Sequence, residues 1–90
     1  MTTDIYMDAY LNQLPDGVRV LGRDIVALGD YQAGRLVLDS KAPGLVGKDL
    51  VYLVRNGDTM WVITYVTAAE EFDQRLPVFE QSARTFAIQP

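Results

Sequence analysis

The chain has 90 residues, 49% of them apolar and 22% charged, which excludes disorder and fibrous repeats and leaves room for one domain, residues 1–90. Eight basic against twelve acidic side chains leave a net charge of −4, which argues against an electrostatic grip on nucleic acid or anionic lipid. The absence of cysteine and histidine removes disulfides, thiolate nucleophiles, the commonest general base and the commonest metal ligand. A chain this short buries only about 60–65% of its unfolded surface, so its core is thin and a partner surface would add to it.

No apolar run approaches the ~18 residues that a membrane span needs, and Met1-Thr2-Thr3-Asp4 lacks the order of a signal peptide. The chain therefore reads as soluble, without a targeting segment or membrane insertion. Thr2 and Thr3 can cap a helix whose first turn holds Asp4. Met7, Leu11 and Leu14 fall on one stripe beside Tyr6 and Tyr10, and Pro15-Asp16-Gly17 stops the helix, predicting helix over Asp4–Leu14. Val18–Leu28 reads as strand, with a bulge or bend at Gly22 and Arg23-Asp24. Gly29–Gly34 reads as a hairpin loop, Arg35–Ser40 as a second strand, and Lys41–Lys48 as irregular.

Asp49–Arg55 and Asp58–Thr67 flank Asn56-Gly57, the preferred dipeptide of a type I′ turn. That turn sets Arg55 opposite Asp58, Val54 opposite Thr59, Tyr52 opposite Trp61 and Leu50 opposite Ile63. One face of the hairpin is then Leu50, Tyr52, Val54, Trp61, Ile63 and Tyr65. The other is Val51, Leu53, Met60, Val62 and Val66. Both faces are apolar, so neither is simply solvated. Phe72, Leu76, Phe79, Ala83 and Phe86 form a second helical stripe, with Thr67 as a cap. Pro77 predicts a kink near Gln74–Leu76, or a short leading turn with the main helix starting at Pro77. The expected fold is α+β in the order α-β-β-β-β-α, a four-stranded antiparallel sheet with an N-terminal and a C-terminal helix.

Catalytic motifs are wanting. Gly44-Leu-Val-Gly47-Lys48 is followed by Asp49, where a phosphate loop needs a hydroxyl. The Gly29–Gly34 stretch opens a strand and not a helix. Ser40 and Ser82 have no histidine to activate them, and the acids are scattered over strands, turns and a helix start. No spacing resembles a calcium loop. The sequence thus points to no catalytic residue, no metal site and no cofactor.

The run Asp58–Thr67, then Phe72, Leu76-Pro77, Phe79 and Arg84-Thr85-Phe86, resembles the C-terminal part of PsbP-like domains, which include the PsbP extrinsic subunit of photosystem II and the LpqN-type bacterial lipoproteins. Those domains usually end in an aromatic-rich strand, a phenylalanine and a helix finishing in Ser-Phe. Arg84-Thr85-Phe86 stands at that position here. The likeness covers the last half of the chain and, loosely, the hairpin before it. It departs at the front, where the family opens with strands carrying a Tyr-Pro-x-x-Trp segment. The chain then reads either as a shortened member or as a different α+β domain with the same ending. The resemblance implies an α/β/α sandwich, no shared catalytic site and an extracytoplasmic or lumenal address.

Tyr52, Trp61 and Tyr65 share one hairpin face, and aromatic side chains with polar tips favour surfaces that are half dry and half wet. They form the candidate partner or dimer face, unless a helix covers them. The opposite face, without polar handles, suits a closed core. The expected function is a non-catalytic binding or assembly module using sheet and loop surfaces, with a homodimer as its expected state. The alternative is a small-ligand carrier or enzyme with a pocket between sheet and helix.

Overall fold

Thr2 caps the first helix, its Oγ1 accepting from the amide of Ile5 at 3.3 Å, and α1 runs Thr3–Asn12 in the computed structural model, which describes residues 2–41, 47–57 and 59–86. The helix ends two residues before the expected Leu14. Leu14 precedes Pro15, which disfavours helical backbone at that position, so Gln13 and Leu14 close on Tyr10 and Leu11 in a tightened last turn. Four strands follow, β1 (Val18–Leu28), β2 (Tyr31–Ser40), β3 (Gly47–Asn56) and β4 (Thr59–Thr67), in one antiparallel sheet of order β1-β2-β3-β4. A 3₁₀ turn over Ala69–Glu71 leads into α2 (Phe72–Arg84). The fold is the expected α+β arrangement with a helix at either end.

Further local readings need correction. Tyr31–Gly34 belongs to β2 and not to a loop, because Leu28 pairs with Tyr31 across a two-residue Gly29-Asp30 connection. Gly29, at φ 60°, supplies the positive φ that such a connection requires. The central hairpin behaves the same way. Asn56 stays in β3 and pairs with Thr59, so the connection is positions 57 and 58, not Asn56-Gly57. A type I′ turn would ask asparagine and glycine both for positive φ. Here Gly57 takes it at 60°, and no described non-glycine residue has positive φ. Val54 accordingly faces Trp61, Tyr52 faces Ile63, Leu50 faces Tyr65 and Arg55 faces Met60. The expected Arg55–Asp58 pair falls on Asp58, outside the described residues. The shift is two positions along β4, so every side chain keeps its predicted face.

Another correction concerns α2. Thr67 ends β4 and caps nothing, and Ala68 and Glu71 open the two helical segments without a side-chain cap. The α-helix starts at Phe72 and runs through Pro77. Pro77 and Asp73 are both exposed, so the carbonyl deprived of its amide donor is left to water. The bulge in β1 falls where glycine predicted it, between Val20 and Gly22. Gly47 and Lys48 are strand; the rest of the irregular stretch from residue 42 lies outside the described residues.

The sheet is a layer with a core on each side. Toward α2 lie Leu28, Ala33, Leu50, Tyr52 and Val54, packed on Phe72 and Ala83 with Leu76, Phe79 and Phe86 around them. Toward α1 lie Leu36, Leu38, Val51 and Leu53, packed on Met7. Helix α1 sits close because Gly34 has no side chain: a Cβ there would lie 2.6 Å from Cγ and Sδ of Met7. Arg23 of β1 then reaches Asp8 at 2.8 Å and Asp4 at 3.2 Å, one turn apart on α1.

Candidate functional site

Helix α1 has ten residues and spans about 15 Å, whereas the strands under it run about 30–37 Å. It lies over the two central strands, β2 and β3. On that face the outer strands are left bare: Val20 and Ile25 of β1, and Val62 (51% exposed) and Val66 (68%) of β4. On the opposite face α2 leans toward β4. Phe79 stacks on Tyr65 at 4.9 Å, the Tyr65 hydroxyl donates to Ser82 Oγ at 3.0 Å, and Phe86 meets the Trp61 ring edge-on at 6.3 Å. Val78, 66% exposed, lies one turn before Ser82 on α2.

The three aromatic residues singled out by sequence are brought to one face and separated by depth. Tyr52 is only 3% exposed, and burial raises its phenol above the ordinary range, with Arg35 opposing. Tyr65 is half-buried beneath α2. Trp61 alone remains substantially exposed, at 44%. The expected closed core on the other face is corrected too: Val51 and Leu53 are sealed, but Val62 and Val66 are open. These two residues, with Val78, were missed. The available signal was size, since one helix about 10 Å wide lying along strands about 4.8 Å apart covers about two of the four.

Strand β4 is an edge, and its nine residues, Thr59-Met-Trp-Val-Ile-Thr-Tyr-Val-Thr67, contain no charge, no proline and no glycine. Natural edges are normally blunted by just those features. The surface that results is a backbone edge without a partner strand among the described residues, flanked by apolar side chains on both faces. It can add a strand.

A concavity of about 390 Å³ lies between the sheet and α2, lined by Asp24, Leu28, Arg35, Tyr52, Glu80 and Arg84 among others. Arg35, largely buried, stands 3.7 Å from Asp24 and 3.6 Å from Glu80. Its charge is answered within the cleft. Among the described residues no group of three or more acids gathers as a metal site would require. Ser40 Oγ is buried without a hydrogen-bond partner among the described residues, and Ser82 is engaged by Tyr65. No described helix is long and apolar enough to cross a membrane. Comparison of the chain with family models, curated proteins and solved structures finds no match in any of the three.

Proposed function

We propose that the protein is a non-catalytic binding or assembly module, that its working surface is β4 with the apolar side chains beside it, and that it works as a homodimer. The observation that carries this reading is the charge-free edge strand with Trp61, Val62 and Val66 exposed along it. Soluble monomers seldom leave such a strip uncovered. The resemblance of the chain's ending to PsbP-like domains supports the non-catalytic part of this reading, since that family implies no shared catalytic site. Static light scattering at tens of micromolar tests it. The expected mass is twice the 10.1 kDa of one chain, and a mass that stays at one chain on concentration overturns it.

The cleft around Arg35 supports the second reading, a small-ligand carrier. It is the weaker one, because the two carboxylates in the cleft already face Arg35, its more buried guanidinium.

A further inference from the structure

We infer that the second copy docks on the β4 edge, strand against antiparallel strand about a two-fold axis, so that two four-stranded sheets become one of eight strands. This rests on the homodimer reading above and specifies its contact. Among the described residues strand β4 is bonded to β3 alone, so alternate backbone N–H and C=O groups point away from the sheet. A second β4 satisfies them all.

The strand complements itself. With the axis at Ile63, the middle of its nine residues, Met60 faces Val66 and Val62 faces Thr64 on one side of the sheet, and Trp61 faces Tyr65 on the other. Apolar, β-branched and aromatic partners meet, and no like charges oppose each other. The strand runs about 30 Å, and a seam about 20 Å deep with its flanking side chains buries on the order of 600 Å² per partner, where stable interfaces begin.

Two other modes of association are disfavoured by the fold. Stacking face to face would have to clear α1, which stands between the Val62–Val66 strip and the Val20–Ile25 strip. Addition at β1 meets Arg19, Arg23, Asp24 and a bulge. With one competent edge per chain, assembly closes at two copies and does not run on into a filament.

The test places one charge on each edge of the full chain. Val62→Lys alters an exposed β4 side chain, and the expected result is a dissociation constant at least about tenfold higher, with the circular dichroism of the fold retained. Thr64→Lys, also exposed, repeats the test should Val62→Lys fold poorly. Ile25→Lys on β1 is expected to leave the mass doubled. Hydrogen exchange adds a readout: β4 amides slow as concentration rises and β1 amides do not. A wild-type mass of one chain overturns both the dimer and this contact. A doubled mass that survives Val62→Lys and Thr64→Lys but not Ile25→Lys leaves the dimer standing and overturns the edge assignment. A mass that keeps growing with concentration overturns the closed pair.

Discussion

The two faces of the sheet are built from the same four strands yet are covered unequally. Toward α2 the cover is a 3₁₀ turn and a 13-residue helix carrying Phe72, Phe79 and Ala83, with Phe86 just beyond it, and large rings reach down between the strands to Leu50, Tyr52 and Val54. Toward α1 the cover is ten residues, and Met7 is its one buried apolar side chain over Leu36, Leu38, Val51 and Leu53, with Tyr10 and Leu11 partly buried beside it. The longer helix leaves Trp61 exposed at the sheet's rim; the shorter leaves aliphatic side chains bare on both outer strands. An amphipathic stripe therefore specifies which face a helix covers, while helix length and the bulk of its anchors specify how much.

The largest expected effect breaks the better-covered face. Phe72→Ala removes a buried ring and should lower stability by about 3–5 kcal/mol in urea unfolding, while Met7→Ala on the other face should lower it by about 2–4 kcal/mol. A Met7 loss larger than the Phe72 loss would reverse the ranking of the two faces. Phe79 is only half-buried, so its truncation belongs below both.

A middle-sized effect separates turn from packing. Gly57→Val forces a β-branched residue toward φ 60° at the hairpin that joins both faces, and should destabilise by about 1–3 kcal/mol. Asn56→Ala, which changes a strand position of ordinary φ, should have a much smaller effect. Equal losses from the two substitutions would restore Asn56-Gly57 as the turn.

The smallest effects are electrostatic, and the two faces carry opposite signs. Asp39, on the α2 side of the sheet, is held low by the hydrogen bond from Arg19 at 2.8 Å, with Lys41 and Lys48 nearby. Its contribution is present above the unfolded pKa and is lost as pH falls through the lowered folded value. Asp49, on the α1 side near Tyr10, is pushed up by burial. Ionising it in place opposes folding, so its contribution is most favourable below the unfolded pKa and declines as pH rises through the raised folded value. Asp39→Asn should then be less stable than wild type at neutral pH and converge on it in acid. Asp49→Asn should show its gain at neutral pH. Urea midpoints across the acid range check both, and shifts of the same sign would remove the contrast.

Much of the fold was legible because side-chain periodicity is a local property. The stripes Met7-Leu11-Leu14 and Phe72-Leu76-Phe79-Ala83 place both helices, and the alternation along β3 and β4 places every residue on its face. That placement survived a wrong turn, since a slip of two residues preserves parity. The glycine in β1 likewise marked its bulge within one residue.

Tertiary structure decided the rest. Where β2 begins depends on Leu28 pairing with Tyr31 across Gly29-Asp30, and whether Asn56 turns or pairs decides whether Leu50 meets Tyr65, the residue that stacks on Phe79. The helix passes through Pro77 because that position and the carbonyl it leaves open both face water. Most of all, sequence marked the hairpin's aromatic residues as the surface for a partner, whereas the fold buries Tyr52, half-covers Tyr65 and leaves Val62 and Val66 open on the opposite side. Apolar character along a strand is written in its residues. Whether water or a helix lies over it depends on how far that helix reaches across the sheet, a distance set only when the layers pack.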